Sequence, residues 1–124
     1  MSEKHKAILE TANAAITQGD YEGFLAHCTE DTEWKFVGDQ VLQGKEAVRQ
    51  WMATTYRKPP QFVVHRMIAD EEFVTALGDI VAKDNDGKEA NFSYCDVWRF
   101  RDDRMAELRA FVIKKAHSDL TEVR

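Results

Sequence analysis

The sequence has few cysteines and prolines and no long apolar run. Its two cysteines, Cys28 and Cys95, are far apart and form no CxxC pair, so their spacing indicates neither a zinc site nor a disulfide framework. No apolar run approaches the roughly 20 residues that span a membrane. The N-terminus, MSEKHKAILE, also lacks the apolar segment of a signal peptide. We therefore expect a cytoplasmic protein with no membrane partner.

Basic residues are too few to favour a nucleic-acid partner. The 124 residues carry a formal net charge of −5 and a sequence pI of about 5.3, whereas phosphate binding needs a concentrated basic surface. The histidines show no HxH or HExxH spacing, so we predict no metal site, and no other cofactor is indicated. Because there is no linker, repeat or low-complexity tract, residues 1–124 are expected to form one domain.

The apolar pattern predicts an α+β protein. Helical spacing of apolar residues predicts helices over 2–17 and 45–56, with a short helix capped by Asp20 between them. In the first predicted strand, 32–37, Trp34 and Phe36 share one face. Further β segments are predicted at 41–42, 61–69, 73–83, 89–101 and 105–115.

The stretch ANFSYCDVWRF, from Ala90 to Phe100, is the centre of the predicted sheet. Its aromatic residues recur at every second position, so an extended chain points them to one side, and Asp96 occupies the remaining position on that side. An ionised carboxylate among rings costs several kcal/mol unless it is paired. We therefore expect Asp96 to have a raised pKa, a partner or a water-filled cavity beside it. The alternative is a strand edge where Asp96 reaches solvent.

The turn before this stretch predicts a register. Asp86-Gly87 is a strong signal for a two-residue hairpin loop. With that loop, Leu77 lies opposite Asp96 and Asp79 lies opposite Tyr94, all on one face. Asp79 is then a diagonal neighbour of Asp96, and the two carboxyl groups are expected to share a proton if water is scarce.

The turn after this stretch allows two registers. A two-residue loop at Asp102 and Asp103 sets Asp96 opposite Arg109, whereas a three-residue loop with a bulge sets it opposite Ala110. We prefer the second register, because it places only uncharged residues on the Asp96 face. Those residues are Leu108, Ala110 and Val112.

The strand at 61–69 also has two possible faces. Either His65 and Met67 point into the pocket, or Val64, Arg66 and Ile68 do, since the separator after this strand does not settle the register. A His facing Asp96 is a candidate base, and a solvent-facing His is the alternative.

Two segments carry a family resemblance. With the order of helices and strands, DTEWKFVGDQVLQGKEAV and CDVWRFRDDRMAELRAF resemble the nuclear transport factor 2-like superfamily, and within it the SnoaL-like polyketide cyclase and ketosteroid isomerase-related proteins. The likeness covers nearly the whole chain. It implies a cone-shaped, strongly curved antiparallel sheet wrapped around N-terminal helices, a cystatin-like α+β barrel with a pocket inside. It also implies a homodimer packed through the outer face of the sheet.

The resemblance does not carry over the ketosteroid isomerase mechanism. Those enzymes use an Asp base on the first strand, a Tyr donor on the first helix and a protonated Asp on the penultimate strand. The resemblance places Lys35 at the position of the base and Ala12 at that of the Tyr, so only Asp96 matches. A Lys is a poor substitute for a carboxylate base at neutral pH and Ala12 donates nothing, so steroid isomerisation by that mechanism is not expected.

Three hypotheses follow. The preferred one is a small-molecule-binding SnoaL-like domain that holds a hydrophobic, carbonyl-type ligand in an aromatic pocket. The second is a cofactor-independent isomerase, cyclase or hydrolase with Asp96 as acid or hydrogen-bond donor and Asp79 or His65 as base. The third is a structural homodimeric scaffold with no ligand. The residues predicted to line the pocket are Trp34, Lys35, Trp51, Leu77, Phe92, Tyr94, Trp98, Leu108, Ala110 and Val112.

Overall fold

The chain forms helices packed on one face of a single sheet. A computed structural model describes residues 2–116. The helices within that range are α1 (Ser2–Thr17), α2 (Tyr21–Leu25) and α3 (Lys45–Thr55). The strands are β1 (Cys28–Phe36), β2 (Gln40–Gln43), β3 (Gln61–Asp70), β4 (Phe73–Lys83), β5 (Glu89–Arg101) and β6 (Arg104–Lys114). The predicted α+β architecture is confirmed.

The first two helices follow from local sequence signals. Helix α1 buries Leu9, Ala12 and Ile16, which recur at the spacing of one helical face. Gly19 ends the helix with a φ of 82°, a left-handed conformation that glycine adopts readily. Asp20 then caps α2, because its carboxylate accepts a backbone N–H of the first turn at 2.9 Å.

The six strands lie in the order β2-β1-β6-β5-β4-β3. Neighbouring strands are antiparallel except β1 and β6, which run parallel. In β5, the alternate residues Tyr94, Trp98 and Phe100 are buried and join the core formed with the helices. We call the face that carries them the inner face and the opposite one the outer face.

The β5–β6 hairpin has the register that the sequence analysis prefers. Asp96 lies opposite Ala110, so this prediction is confirmed. The loop itself is shorter than predicted, because Asp102 and Asp103 form a two-residue turn with φ values of 52° and 64°. A bulge at Ala106 then shifts the pairing by one residue.

The predicted register of the β4–β5 hairpin is wrong by one residue. Asp96 pairs with Ala76, not with Leu77. The loop has five residues instead of two, because the Asp84 carboxylate accepts two backbone N–H groups inside it, at 2.9 and 3.1 Å. A one-residue shift turns every side chain of a strand to the other face. Leu77 and Asp79 therefore lie on the outer face.

Strand β3 follows neither predicted alternative along its whole length. A bulge at His65 shifts the pairing between Val64 and Arg66. The bulge changes the alternation, so that Val64 and Met67 both pack against the core. His65 is exposed on the outer face.

The core lies between the inner face and the helices. Its fully buried side chains come from both layers, and Lys45 is also buried at the start of α3. Within residues 2–116, no helix combines the length and the apolar character needed to cross a bilayer. The largest fully buried apolar residues are Leu9, Leu25, Met52, Met105, Val48 and Val74.

Gly78 of β4 lets Tyr94 lie close against the sheet. A Cβ atom at Gly78 would sit 2.0 Å from the Val63 carbonyl oxygen and 2.7 Å from the Tyr94 hydroxyl.

We expect Gly78→Ala to lower the free energy of unfolding by about 1–3 kcal/mol through overpacking, measured by urea denaturation. The exposed Ser93→Ala on the neighbouring strand is the control, with a change within about 0.5 kcal/mol. Unchanged stability of Gly78→Ala would contradict this packing.

Candidate functional site

Asp96 lies on the inner face of β5 between two small side chains. Ala76 of β4 and Ala110 of β6 lie directly opposite it on either side, and both are buried. Along β5 itself, Asp96 is flanked by the rings of Tyr94 and Trp98. The two strand neighbours of Asp96 therefore present only methyl groups to its carboxyl group, and Asp96 itself is partly exposed.

The carboxyl group of Asp96 has no hydrogen-bond or ion-pair partner in the described part of the chain. Burial alone raises its pKa from an ordinary value of about 4 to about 7. The Asp96 oxygens are not completely sealed from solvent, unlike the buried unpartnered atoms Thr29 Oγ1 and Trp34 Nε1. The bonds to Tyr94, Trp51 or Trp34 that a purely structural role would use are not formed. Within the described residues, the hydrogen-bonding capacity of this carboxyl group is therefore unused.

Three tryptophans form an apolar wall beside this carboxyl group. The ring centroid of Trp34 lies 5.6 Å from that of Trp98 and 5.9 Å from that of Trp51, both in edge-to-face geometry. Phe36 extends the wall, with its centroid 5.0 Å from Trp51. The Trp34 Nε1–H is buried and has no acceptor among the described residues.

Tyr56 is a site residue that the sequence analysis missed. It ends α3, its backbone carbonyl accepts the Tyr21 hydroxyl at 3.0 Å, and its ring lies 5.1 Å from Trp51. Burial raises the pKa of its hydroxyl, and the nearby charge of Asp96 raises it further. The Tyr56 hydroxyl therefore stays protonated and can donate a hydrogen bond. Tyr56 follows Met52 by four residues, which places it on the buried side of α3, and this spacing could have identified it from the sequence.

The predicted pocket residues divide between the two faces. Lys35 and Leu77 lie on the outer face, so their prediction is wrong. Lys35 alternates with Trp34 along β1 and is exposed, and Leu77 turns outward with the shifted β4 register. The others lie on the inner face or pack onto it from α3, with Val112 43% exposed near the end of β6. These are Trp34, Trp51, Phe92, Tyr94, Trp98, Leu108, Ala110 and Val112.

The two predicted bases lie together on the outer face, away from the side chains that surround Asp96. His65 Nε2 is 2.9 Å from Asp79 Oδ2, and Lys115 Nζ is 3.1 Å from the same oxygen. The hydrogen bond with His65 and the contact with Lys115 lower the pKa of Asp79. The prediction that places Asp79 diagonally beside Asp96 is therefore wrong. Within residues 2–116, no three His, Cys, Asp or Glu side chains are grouped to hold a metal.

A hollow of about 510 Å³ opens at one end of the sheet. It is lined by Thr17 at the end of α1, by Pro59 and Pro60 after α3, and by strand residues of both faces. Phe62 and Ile80 belong to the inner face, and the other lining residues alternate with them and belong to the outer face: Gln61, Val63, Asp79, Val81 and Asn91. Asp96 does not line it and lies further along the inner face.

Comparison with known proteins gives a family match and several structural neighbours. The family model of the SnoaL-like domain matches residues 9–108. An NTF2-like protein of unknown function from Cytophaga hutchinsonii is 26% identical, with a TM-score of 0.73, covering 91% of this chain and 99% of that one. An LEH-like epoxide hydrolase from M. tuberculosis is 17% identical, with a TM-score of 0.78, covering 90% and 84%. TerC, co-crystallised with polyporic acid, is 16% identical, with a TM-score of 0.72, covering 86% and 89%. No curated protein matches the chain significantly.

The raised pKa of Asp96 predicts a distinct dependence of stability on pH. Between about pH 4 and pH 7 the folded state holds a proton on Asp96 that the unfolded state has lost, so this group lowers stability as pH rises through that window. We expect the stability of Asp96→Asn relative to wild type to rise by about 2–3 kcal/mol between pH 5 and pH 8.

The measurement is urea denaturation of both proteins at each pH. Asp31→Asn is the control, because Arg101 lowers the pKa of Asp31 and that carboxylate stays ionised throughout. A difference between Asp96→Asn and wild type that does not change with pH would contradict the burial of the Asp96 carboxyl group.

Proposed function

The chain belongs to the SnoaL-like domain family, and we propose that it binds a small, largely apolar carbonyl compound on the inner face of its sheet, with Asp96 as the polar anchor. The observation that carries this proposal is the unpartnered Asp96 carboxyl group between Ala76 and Ala110. Apolar walls with a few convergent polar groups are what small-molecule sites require.

A carbonyl oxygen suits the polar groups of this site. A protonated Asp96 donates one hydrogen bond, and the Tyr56 hydroxyl is a second donor within the electrostatic reach of Asp96. Both groups are neutral below about pH 7, so a neutral acceptor is favoured over an anion. The rings of Trp34, Trp51 and Trp98 favour an apolar body for the ligand.

The structural neighbours support binding of small organic molecules by this fold. One of them is an epoxide hydrolase and another was co-crystallised with polyporic acid. At 16–17% identity, the similarity to these neighbours shows only that this chain shares their fold. The ligand class is therefore argued from the residues around Asp96.

The proposal stops at binding. An isomerase or cyclase reaction needs a base near the group that donates the proton. The two side chains predicted for that role, Asp79 and His65, lie on the outer face and are bonded to each other. We therefore propose no proton-transfer step.

Binding of a fluorescent ketone tests the role of Asp96. We expect 6-propionyl-2-(dimethylamino)naphthalene to bind with a blue-shifted emission, and its Kd to rise about 30-fold from pH 5.5 to pH 8.5 as Asp96 loses the donated proton. Asp96→Asn keeps a donor, so its Kd should be nearly independent of pH. Asp96→Leu should weaken binding about tenfold at pH 5.5, because the hydrogen bond is lost.

The exposed Asp31→Asn is the matched control and should bind as wild type does at every pH. Wild-type binding that ignores pH, or Asp96→Leu binding as tightly as wild type, would refute the anchor role.

We also propose that the outer face pairs with a second copy of the chain. Apolar side chains that are 39–69% exposed are concentrated there: Val63, Ile68, Phe73, Phe111 and Ile113. Charges of both signs lie among them, with Arg99 paired to Glu107 and Arg109 close by. A surface that carries charges of both signs can pair with itself across a two-fold axis, and an exposed apolar patch is typical of an interface.

Disruption of this patch tests the pairing. We expect wild type to have twice the 14.3 kDa mass of the chain by light scattering, and Phe111→Glu combined with Ile113→Glu to have the single mass, because two buried charges would oppose association. Ala14→Glu, at an exposed position of α1, is the control and should leave the mass doubled. A wild-type mass of one chain would contradict the pairing.

A further inference from the structure

Tyr94 carries a second polar group of the inner face whose hydrogen-bonding capacity is unused. Only 8% of this residue is exposed, and in the described part of the chain no group forms a hydrogen bond with its hydroxyl. Buried polar groups are nearly always paired, so an unpaired one indicates a partner such as water or a ligand. Unlike the Nε1–H of Trp34, the Tyr94 hydroxyl is not completely sealed from solvent. The oxygen of a bound molecule would supply the missing partner.

The Tyr94 hydroxyl lies diagonally across the inner face from Asp96. Tyr94 pairs with Gly78, and its hydroxyl is 2.7 Å from the position that a Cβ atom of residue 78 would take. Because Ala76 is the residue opposite Asp96, Gly78 is a diagonal neighbour of Asp96. Diagonal neighbours on one face of a sheet are about 7–8 Å apart. The carboxyl group and the hydroxyl are thus separated by about the length of one aromatic ring with a polar substituent at each end.

Tyr94 keeps its proton throughout the neutral pH range. Burial raises the pKa of Tyr94 to about 12, and the charges of Asp96 and Asp79 raise it too. A hydroxyl group both donates and accepts hydrogen bonds, so it can bind a hydroxyl or a carbonyl oxygen of a ligand. The effect of Asp96 on this pKa also places the two groups within electrostatic reach of each other.

We propose that the natural ligand is an aromatic ketone with a second oxygen, and that Tyr94 binds this second oxygen while Asp96 binds the carbonyl group. This inference rests on the proposed function and adds a specificity-determining residue, because Tyr94 then selects a hydroxyketone or a dicarbonyl compound over a simple ketone. A hydroxyl group para to the carbonyl group puts the two oxygens at opposite ends of one ring, which matches the spacing of Asp96 and Tyr94.

Two ketones of the same shape test the proposal by isothermal titration calorimetry at pH 6. 4′-Hydroxyacetophenone has a hydroxyl group where 4′-methylacetophenone has a methyl group. Tyr94→Phe keeps the ring that packs over Gly78 and removes only the hydroxyl. We expect Tyr94→Phe to weaken 4′-hydroxyacetophenone about fivefold, because one hydrogen bond is lost, and to leave 4′-methylacetophenone within about twofold.

Ser93→Ala is the matched control. It removes a hydroxyl from the residue before Tyr94, but Ser93 is exposed and lies on the outer face opposite Asp79, so both affinities should stay within about twofold of wild type. A positional isomer repeats the test without a variant of Tyr94. The hydroxyl of 2′-hydroxyacetophenone is beside the carbonyl group and does not reach Tyr94, so wild type should bind this isomer about fivefold more weakly than the 4′ isomer.

The outcomes separate this inference from the proposed function. If Asp96→Leu weakens both ketones but Tyr94→Phe does not weaken the hydroxyketone selectively, Tyr94 does not bind a second oxygen, and the anchor role of Asp96 survives. If neither ketone binds, or if Asp96→Leu leaves both affinities unchanged, the proposed function fails and the role of Tyr94 fails with it.

Discussion

The proposed site depends on one carboxyl group held among apolar neighbours without a partner. Asp96 sits between Ala76 and Ala110 in an aromatic row, and burial raises its pKa to about 7. An ionised group in such a place is unfavourable unless something pairs with it. Near neutral pH the protonated and ionised forms are close in free energy, so a ligand that accepts or donates a hydrogen bond can select one of them.

The other features of the site follow from that placement. Ala76 and Ala110 present only methyl groups to Asp96, the tryptophans form an apolar wall beside it, and the Tyr56 hydroxyl lies close enough for the charge of Asp96 to raise its pKa. The hydrogen-bond donor, Tyr56, lies at the end of α3. At the position on α1 where ketosteroid isomerases have a Tyr donor, this chain has Ala12, which has no polar group. The site therefore departs from the ketosteroid isomerase arrangement at the first helix and, through the outward-facing Lys35, at the first strand.

Much of the fold was predictable because its signals are local. Alternation within β5 predicted the inner-face row, and the helix limits followed from apolar spacing, Asp20 and Gly19. The face of β4 was not predictable from the Asp86-Gly87 turn, because the carboxylate of Asp84 enlarges the loop and shifts the strand by one residue. The bulge at His65 likewise changes which side chains of β3 face inward after that residue, and no residue pattern in the sequence indicates this bulge. Both errors concern the pairing register between strands, which the sequence of a single strand does not determine.

The most direct test is the pKa of Asp96 itself, read from the side-chain carboxyl carbon chemical shift across a pH titration of the free protein. A value near 7, which rises further when a ketone such as 6-propionyl-2-(dimethylamino)naphthalene is bound, is the expected result. A value near 4 would mean that the carboxylate is solvated or paired, and would contradict both the apolar site and the function proposed for it.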